Sequence, residues 1–314
     1  MPAISASAPG KIILFGEHAV VYGRPAIAVP VTQVRARVVV LAEPSGPAGR
    51  VHIQAPDIQL DAYLDSLPEN QPLAAALWGV MKLLGVQRSP ACTLRISSTI
   101  PLAGGLGSGA AVSVAIIRAY AAFLGRPLPD ADVSNLVFEV EKLHHGTPSG
   151  IDNTVITYAV PVYFVRGQPI ETFPVNVPFT MVIGDTGIAS PTSIAVGDVR
   201  RAWQAETDRY ERLFDAVGMI VERARQAIAA GDLPALGELL DENQRILREI
   251  GVSSPELERL ISAAHASGAL GAKLSGGGRG GNMIALCETQ QAEQIAQSIS
   301  EAGAVHTITT VVQS

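Results

Sequence analysis

The sequence predicts an α+β protein of two lobes. Three observations predict it: a first third in which short β-rich runs alternate with turn residues, a middle dominated by helical patterns, and an end that returns to β-rich runs. A chain of 314 residues, 47% hydrophobic and 17% charged, is long enough to bury a substantial core and to divide in two.

The runs AIAVPV, VRARVVVLA, VHIQA and CTLRIS, with turn residues between them, predict a mainly antiparallel sheet. Helices follow over QPLAAALWGVMKLLG, GAAVSVAIIRAYAAFLG and DADVSNLVFEVEKLHHG. In the third, Val133, Leu136, Val137 and Val140 obey the i, i+3, i+4, i+7 rule, so one stripe faces a core. A strand pair around YAVPVYFVRGQPIETFPV leads to TMVIGDTG, after which the pattern is mostly helical to about Ala266. GAKLS, NMIALC and VHTITTVV read as strands, with an amphipathic helix over ETQQAEQIAQSISEAG between the last two. The boundary falls near residues 175 to 180, giving domains 1–178 and 179–314.

Charge and composition exclude several function classes. A net charge of −6 and no run of like charge offer no basic surface for nucleic acid. No window approaches the roughly 18 uninterrupted apolar residues of a membrane span, and the N-terminal MPAISASAPGK lacks a signal-like apolar core, so no membrane association and a cytoplasmic location are expected. Cys92 and Cys287 lie far apart without CxxC spacing, which predicts two buried, inert thiols.

One stretch carries chemistry: PLAGGLGSGAA, from Pro101 to Ala111. It follows the apolar run CTLRISSTI and opens a long helix, where backbone N–H groups are unpaired and the helix dipole presents its positive end. Glycines let phosphate oxygens approach that backbone, so the stretch is a candidate phosphate cradle as well as a plain turn. It is not a Walker A loop, because the only GK, Gly10-Lys11, is followed by Ile12. A dinucleotide fold is disfavoured by the second helix after Gly125, and the protein-kinase and GxSxG motifs are absent. Two other segments stand out: APGKIILFGEHAVVYG, where Lys11, Glu17 and His18 crowd into an apolar run, and EKLHHGTPSGIDN, where a helix ends and a turn delivers Asp152.

APGKIILFGEHAVVYG, PLAGGLGSGAA and GAKLSGGGRGG, in this order across nearly the whole chain, resemble the three motifs of the GHMP kinase superfamily. HGTPSGIDN together with GEHAVV is similar to its mevalonate kinase branch. The resemblance implies an N-terminal domain like domain 2 of ribosomal protein S5, a ferredoxin-like C-terminal domain, ATP and Mg²⁺ in the cleft between them, and phosphorylation of the C5 hydroxyl of mevalonate in the route to isoprenoids. A homodimer is expected.

By the same resemblance Asp152 is the catalytic base, with Lys11 keeping it ionised and polarising the hydroxyl. An ordinary carboxylate, of pKa about 4, cannot fully deprotonate an alcohol in the ground state, so proton transfer is late. Pro101, Gly104, Gly105, Leu106, Gly107, Ser108, Gly109 and Ala110 would wrap the ATP phosphates. Glu141, eleven residues ahead of Asp152, matches the family's magnesium carboxylate. The family commonly has two adjacent serines in the loop, the second a metal ligand; here they are Ser108 and Gly109, which leaves Ser108, water or another hydroxyl for that place. Glu17, His18 and Thr192 match substrate-side positions, His18 as a candidate for the substrate carboxylate. His144 and His145 point about 100° apart on a helix and suit its C-terminal dipole better than a shared metal. Arg279 faces either phosphate or solvent. The alternatives are a sister kinase activity on the same fold, such as a mevalonate 3-kinase, phosphomevalonate kinase or decarboxylase-like reaction, and a non-catalytic sensor.

Overall fold

Packing divides the chain into two units, one of residues 3–10, Val34–Pro101 and Gly107–Ala159, the other of Lys11–Gln33, 105–106 and 160–313. The computed structural model describes residues 3–101, 105–145, 148–189 and 192–313, with the side chains at 144, 145, 192 and 193 outside that description.

Strands β1 (Ile4–Phe15) and β2 (Ala26–Ala42) contribute residues to both units. The first unit continues with β3 (Val51–Ala55), β4 (Leu60–Tyr63), helix α1 (Pro72–Leu84), β5 (Cys92–Ser98), α2 (Ser108–Phe123), α3 (Asp130–His145) and α4 (Ile151–Tyr158). Strand β2 is one element where the sequence suggests two runs. Its second half alternates strictly, burying Val34, Ala36, Val38 and Val40 and exposing Arg35 and Arg37, as a half-buried strand must. That half pairs antiparallel with β5, and β3 pairs antiparallel with β4. The β3–β5 pair is parallel within a mainly antiparallel sheet, and the long excursion through β4 and α1 makes it possible. Helix α1 starts where Gln71 accepts a hydrogen bond from the Ala74 amide (2.9 Å) and Pro72 occupies the first turn. Helices α1, α2 and α4 all pack on α3, so α3 buries more than one face.

The second unit holds β6 (Val162–Phe164), β7 (Glu171–Thr172), β8 (Phe179–Asp185), α5 (Thr192–Ala205), α6 (Thr207–Ala230), α7 (Leu233–Ile250), α8 (Pro255–Ala266), β9 (Gly271–Ser275), β10 (Asn282–Cys287), α9 (Ala292–Glu301) and β11 (His306–Val312). Residues 26–28 of β2 pair with β6, which pairs with β7. Strands β11, β8, β10 and β9 form a separate antiparallel sheet in that order. Helices α7, α8 and α9 pack on it. Asp232 caps α7 through the Ala235 amide (3.0 Å), and Ser254 followed by Pro255 opens α8. Cys92 and Cys287 are buried free thiols, and burial pushes them up to about 12 and about 11, which makes both unreactive. No helix among the described residues is long and apolar enough to cross a membrane.

Candidate active site

Helix α2 begins directly after the glycine loop. Its N-cap, Gly107, has φ +73° and ψ +29°, a left-handed conformation that only glycine adopts without strain, and it offers no side chain to cap the helix. The first intrahelical bond runs from the Ala111 amide to the Gly107 carbonyl (2.9 Å). The amides of Ser108, Gly109 and Ala110 thus have no partner within the helix and lie at its positive end. Gly105, also at positive φ, precedes it; Gly104 lies outside the described residues.

Two carboxylates belong to the same unit. Glu141, in the last turn of α3, is buried, and its Oε1 lies 3.8 Å from where a Cβ on Gly109 would sit. Its carboxylate therefore stands beside the first turn of α2. Asp152 lies in the first turn of α4, a helix rather than the expected turn. Every residue from 151 to 157 except Asp152 is buried, and Asn153 anchors the helix by donating to Ser134 Oγ (2.9 Å) on α3. Asp152 is thereby held on a fixed helix with its own side chain partly open.

The second unit carries the other predicted residues. The Lys11 amide donates to the Leu106 carbonyl (2.9 Å), which ties β1 to the glycine loop, and Lys11 is buried. Strand β1 ends in a sharp turn. Gly16 has φ +98°, and a Cβ there would come within 2.5 Å of Ala26 Cα and the Pro25 carbonyl oxygen. Glu17 and His18 follow, both buried, and His18 has φ +60°. The Glu17 carboxylate forms an ion pair with Lys273 of β9, the two side chains being 1% and 0% exposed. Burial pushes Glu17 up and Lys273 down, against their mutual attraction.

His18 Nε2 donates to the Gly277 carbonyl (3.0 Å), and burial lowers its pKa to about 4. The ring is therefore neutral at pH 7 with Nδ1 a bare acceptor. Such a nitrogen suits a hydroxyl; a carboxylate would need a donor. The depressed pKa also fixes a pH effect. Between pH 6.5 and about 4 the unfolded chain binds a proton at His18 that the folded chain refuses, so stability falls with pH, by up to about 3 kcal/mol at pH 4. Urea unfolding at pH 7 and pH 4.5 should show a smaller acid loss for His18→Asn than for the unsubstituted protein; equal losses would contradict it.

The third glycine stretch, 276–281, follows β9. Ser275 Oγ donates to the Ile13 carbonyl (2.8 Å), and the Arg279 guanidinium is bonded to Asp198, so Arg279 has a protein partner. Thr192 opens α5 with its side chain outside the described residues, as are those of His144 and His145. Sequence reasoning missed Lys273. The available signal was a single charge in GAKLS, a strand flanked by apolar residues, since a buried charge needs a partner.

The donor set suits a magnesium ion carried by phosphates, which takes only one or two ligands from protein. Glu141 places a carboxylate next to the first turn of α2, and Ser108 carries a hydroxyl on that turn. Among the described residues no group of three or more acidic, histidine or cysteine side chains forms a self-sufficient metal cage.

Comparison with known proteins defines the class. The family model for the GHMP kinases N terminal domain matches residues 73–159, and that for GHMP kinases C terminal matches residues 224–305. The fold is accordingly a GHMP kinase fold. A mevalonate kinase of Thermococcus sibiricus is 36% identical over 98% of this chain and 96% of its own length, and one from Aeropyrum pernix is 35% identical over 95% and 93%. A solved structure of the L. major mevalonate kinase in complex with R-mevalonate matches with a TM-score of 0.84 at 31% identity, covering 98% of this chain and 95% of that one. The chain belongs to the mevalonate kinase family of the GHMP kinases.

Proposed function

We infer that this protein transfers the γ-phosphoryl group of ATP to the C5 hydroxyl of mevalonate, giving 5-phosphomevalonate and ADP on the route to isoprenoids. The observation that carries this reading is the buried Glu141 carboxylate beside the uncapped first turn of α2, a pairing suited to a metal-bound polyphosphate, in a chain whose relatives over full length are mevalonate kinases. The substrate oxygen bonds to the γ-phosphorus, the bond from that phosphorus to the β–γ bridging oxygen breaks, and the hydroxyl proton passes to Asp152. Lys11 polarises the hydroxyl. The amides at 108–110 hold phosphate oxygens, so the chain mainly aligns reactants and stabilises spread negative charge. Glu141 and Ser108 would hold Mg²⁺, which when bound neutralises charge on the β- and γ-phosphates. Glu17 Oε2 and His18 Nδ1, buried acceptors with no partner among the described residues, fit a hydroxyl of the substrate. Thr192 is proposed on the substrate side from its sequence position alone.

Transfer of label from [γ-³²P]ATP to a panel of mevalonate, phosphomevalonate, galactose and homoserine tests the reading. Mevalonate is expected to be the preferred acceptor, and preference for another alcohol would overturn it. Glu141→Gln should raise the Mg²⁺ concentration for half-maximal rate, about tenfold, because an anionic ligand becomes neutral. An unchanged Mg²⁺ titration would remove Glu141 from the metal site.

A further inference from the structure

We infer that Lys273 is a positioning residue for the substrate-facing turn: its ammonium, buried against Glu17, fixes the turn at Gly16–His18 and so sets affinity for the alcohol substrate. The inference deepens the functional reading and rests on its assignment of Glu17 and His18 to the substrate.

Stability alone does not account for the pair. A buried ion pair gains little over apolar side chains of similar volume, because two charges must be desolvated, whereas removing one partner alone is strongly unfavourable. Lys273 is itself fully buried, so an apolar side chain of similar volume at 273 would avoid the cost of desolvating an ammonium. What the pair supplies is location. The turn it holds has Gly16 at φ +98°, which glycine adopts freely, and a strained His18 at φ +60°, a conformation that persists only where the surroundings enforce it. Three ties come from β9 and the loop after it: Lys273 to Glu17, the Gly277 carbonyl to His18 Nε2, and Ser275 Oγ to the Ile13 carbonyl. Lys273 Nζ is itself fixed by donating to the Leu274 carbonyl (2.6 Å).

The geometry divides the work of the Glu17 carboxylate. Oε1 takes Lys273, while Oε2 and the neighbouring His18 Nδ1 are buried without a partner among the described residues. Leaving two buried acceptors unsatisfied is costly, and a hydroxyl donor relieves it. The Lys273 charge opposes the burial that pushes the Glu17 carboxyl up, so its removal leaves that burial without a counter-charge.

The test is a double-mutant cycle read in steady-state constants, with Lys273→Met, Glu17→Gln and the double variant. Lys273→Met should raise KM for mevalonate about tenfold or more while KM for ATP stays within about threefold. Because both side chains act through one contact, the double variant should show a mevalonate KM within about threefold of Glu17→Gln alone, not the product of the two effects. If Lys273→Met fails to fold, the double variant, which leaves no lone buried charge, still supplies that comparison. Multiplying effects would assign Lys273 its own substrate contact and overturn the inference. So would a parallel rise in both KM values, or no rise for Lys273→Met where Glu17→Gln has one. Should Glu17→Gln and His18→Asn both retain the unsubstituted mevalonate KM, the assignment of the turn to the substrate fails instead.

Discussion

Replacing Asp152 with asparagine is expected to lower kcat by about 10²-fold or more while leaving fold and nucleotide binding intact. The amide keeps the size of the side chain and cannot accept the hydroxyl proton. Its position predicts the tolerance: the neighbours at 151 and 153–157 are buried and carry the packing of α4, whereas Asp152 is partly exposed. Asn153, bonded to Ser134, continues to hold the helix against α3. Turnover measured by ADP release, with ATP affinity measured by calorimetry on the same preparations, separates the two effects. Near-normal turnover would remove Asp152 from the chemistry, and loss of ATP binding together with turnover would make it a structural residue.

Gly107→Val is expected to weaken ATP binding by more than about tenfold, a larger effect than Ser108→Ala has on turnover. Two causes act together. A branched side chain at the N-cap of α2 obstructs the approach of phosphate to the amides at 108–110, and φ +73° is a conformation that valine reaches only with about 1–3 kcal/mol of strain. Gly85→Val isolates the second cause, since Gly85 ends α1 at φ +66° with nothing within 4 Å of an added Cβ and lies outside the loop. That variant should lose thermal stability yet bind ATP normally. If Gly107→Val also binds ATP normally, the cradle is a plain turn. If Ser108→Ala instead raises the Mg²⁺ requirement and Gly109→Ser lowers it again, Ser108 has taken the metal-ligand place left by Gly109; the open space at Gly109, with Glu141 Oε1 3.8 Å away, admits that hydroxyl.

The helices were legible where local signals agree with packing. Gln71-Pro72 and Gly85 bracket α1, and the apolar stripe of α3 is the one its periodicity marks. Helix α4 was not legible, because the run Thr154-Val155-Ile156-Thr157 is β-branched and opens after a Gly/Pro/Ser turn; packing against α2 and α3 overrides its propensity. The burial of Glu141 was hidden for a related reason. It sits beside the apolar stripe, but α3 is covered on more than one side. The Gly109 substitution in the loop could be read directly from the letters. The Glu17–Lys273 pair could not, since nothing local couples positions 256 residues apart.

Phosphorus NMR of the product formed from ATP and R-mevalonate tests most directly that the C5 hydroxyl is the acceptor. A phosphate on C5 is bonded through oxygen to a methylene carbon, so its proton-coupled ³¹P signal splits into a triplet, and ADP accumulates in equal amount. That is the predicted spectrum. A phosphate on the tertiary C3 oxygen has no proton on the attached carbon and gives a single line, and ADP with free phosphate alone would mean hydrolysis; either result contradicts the assignment.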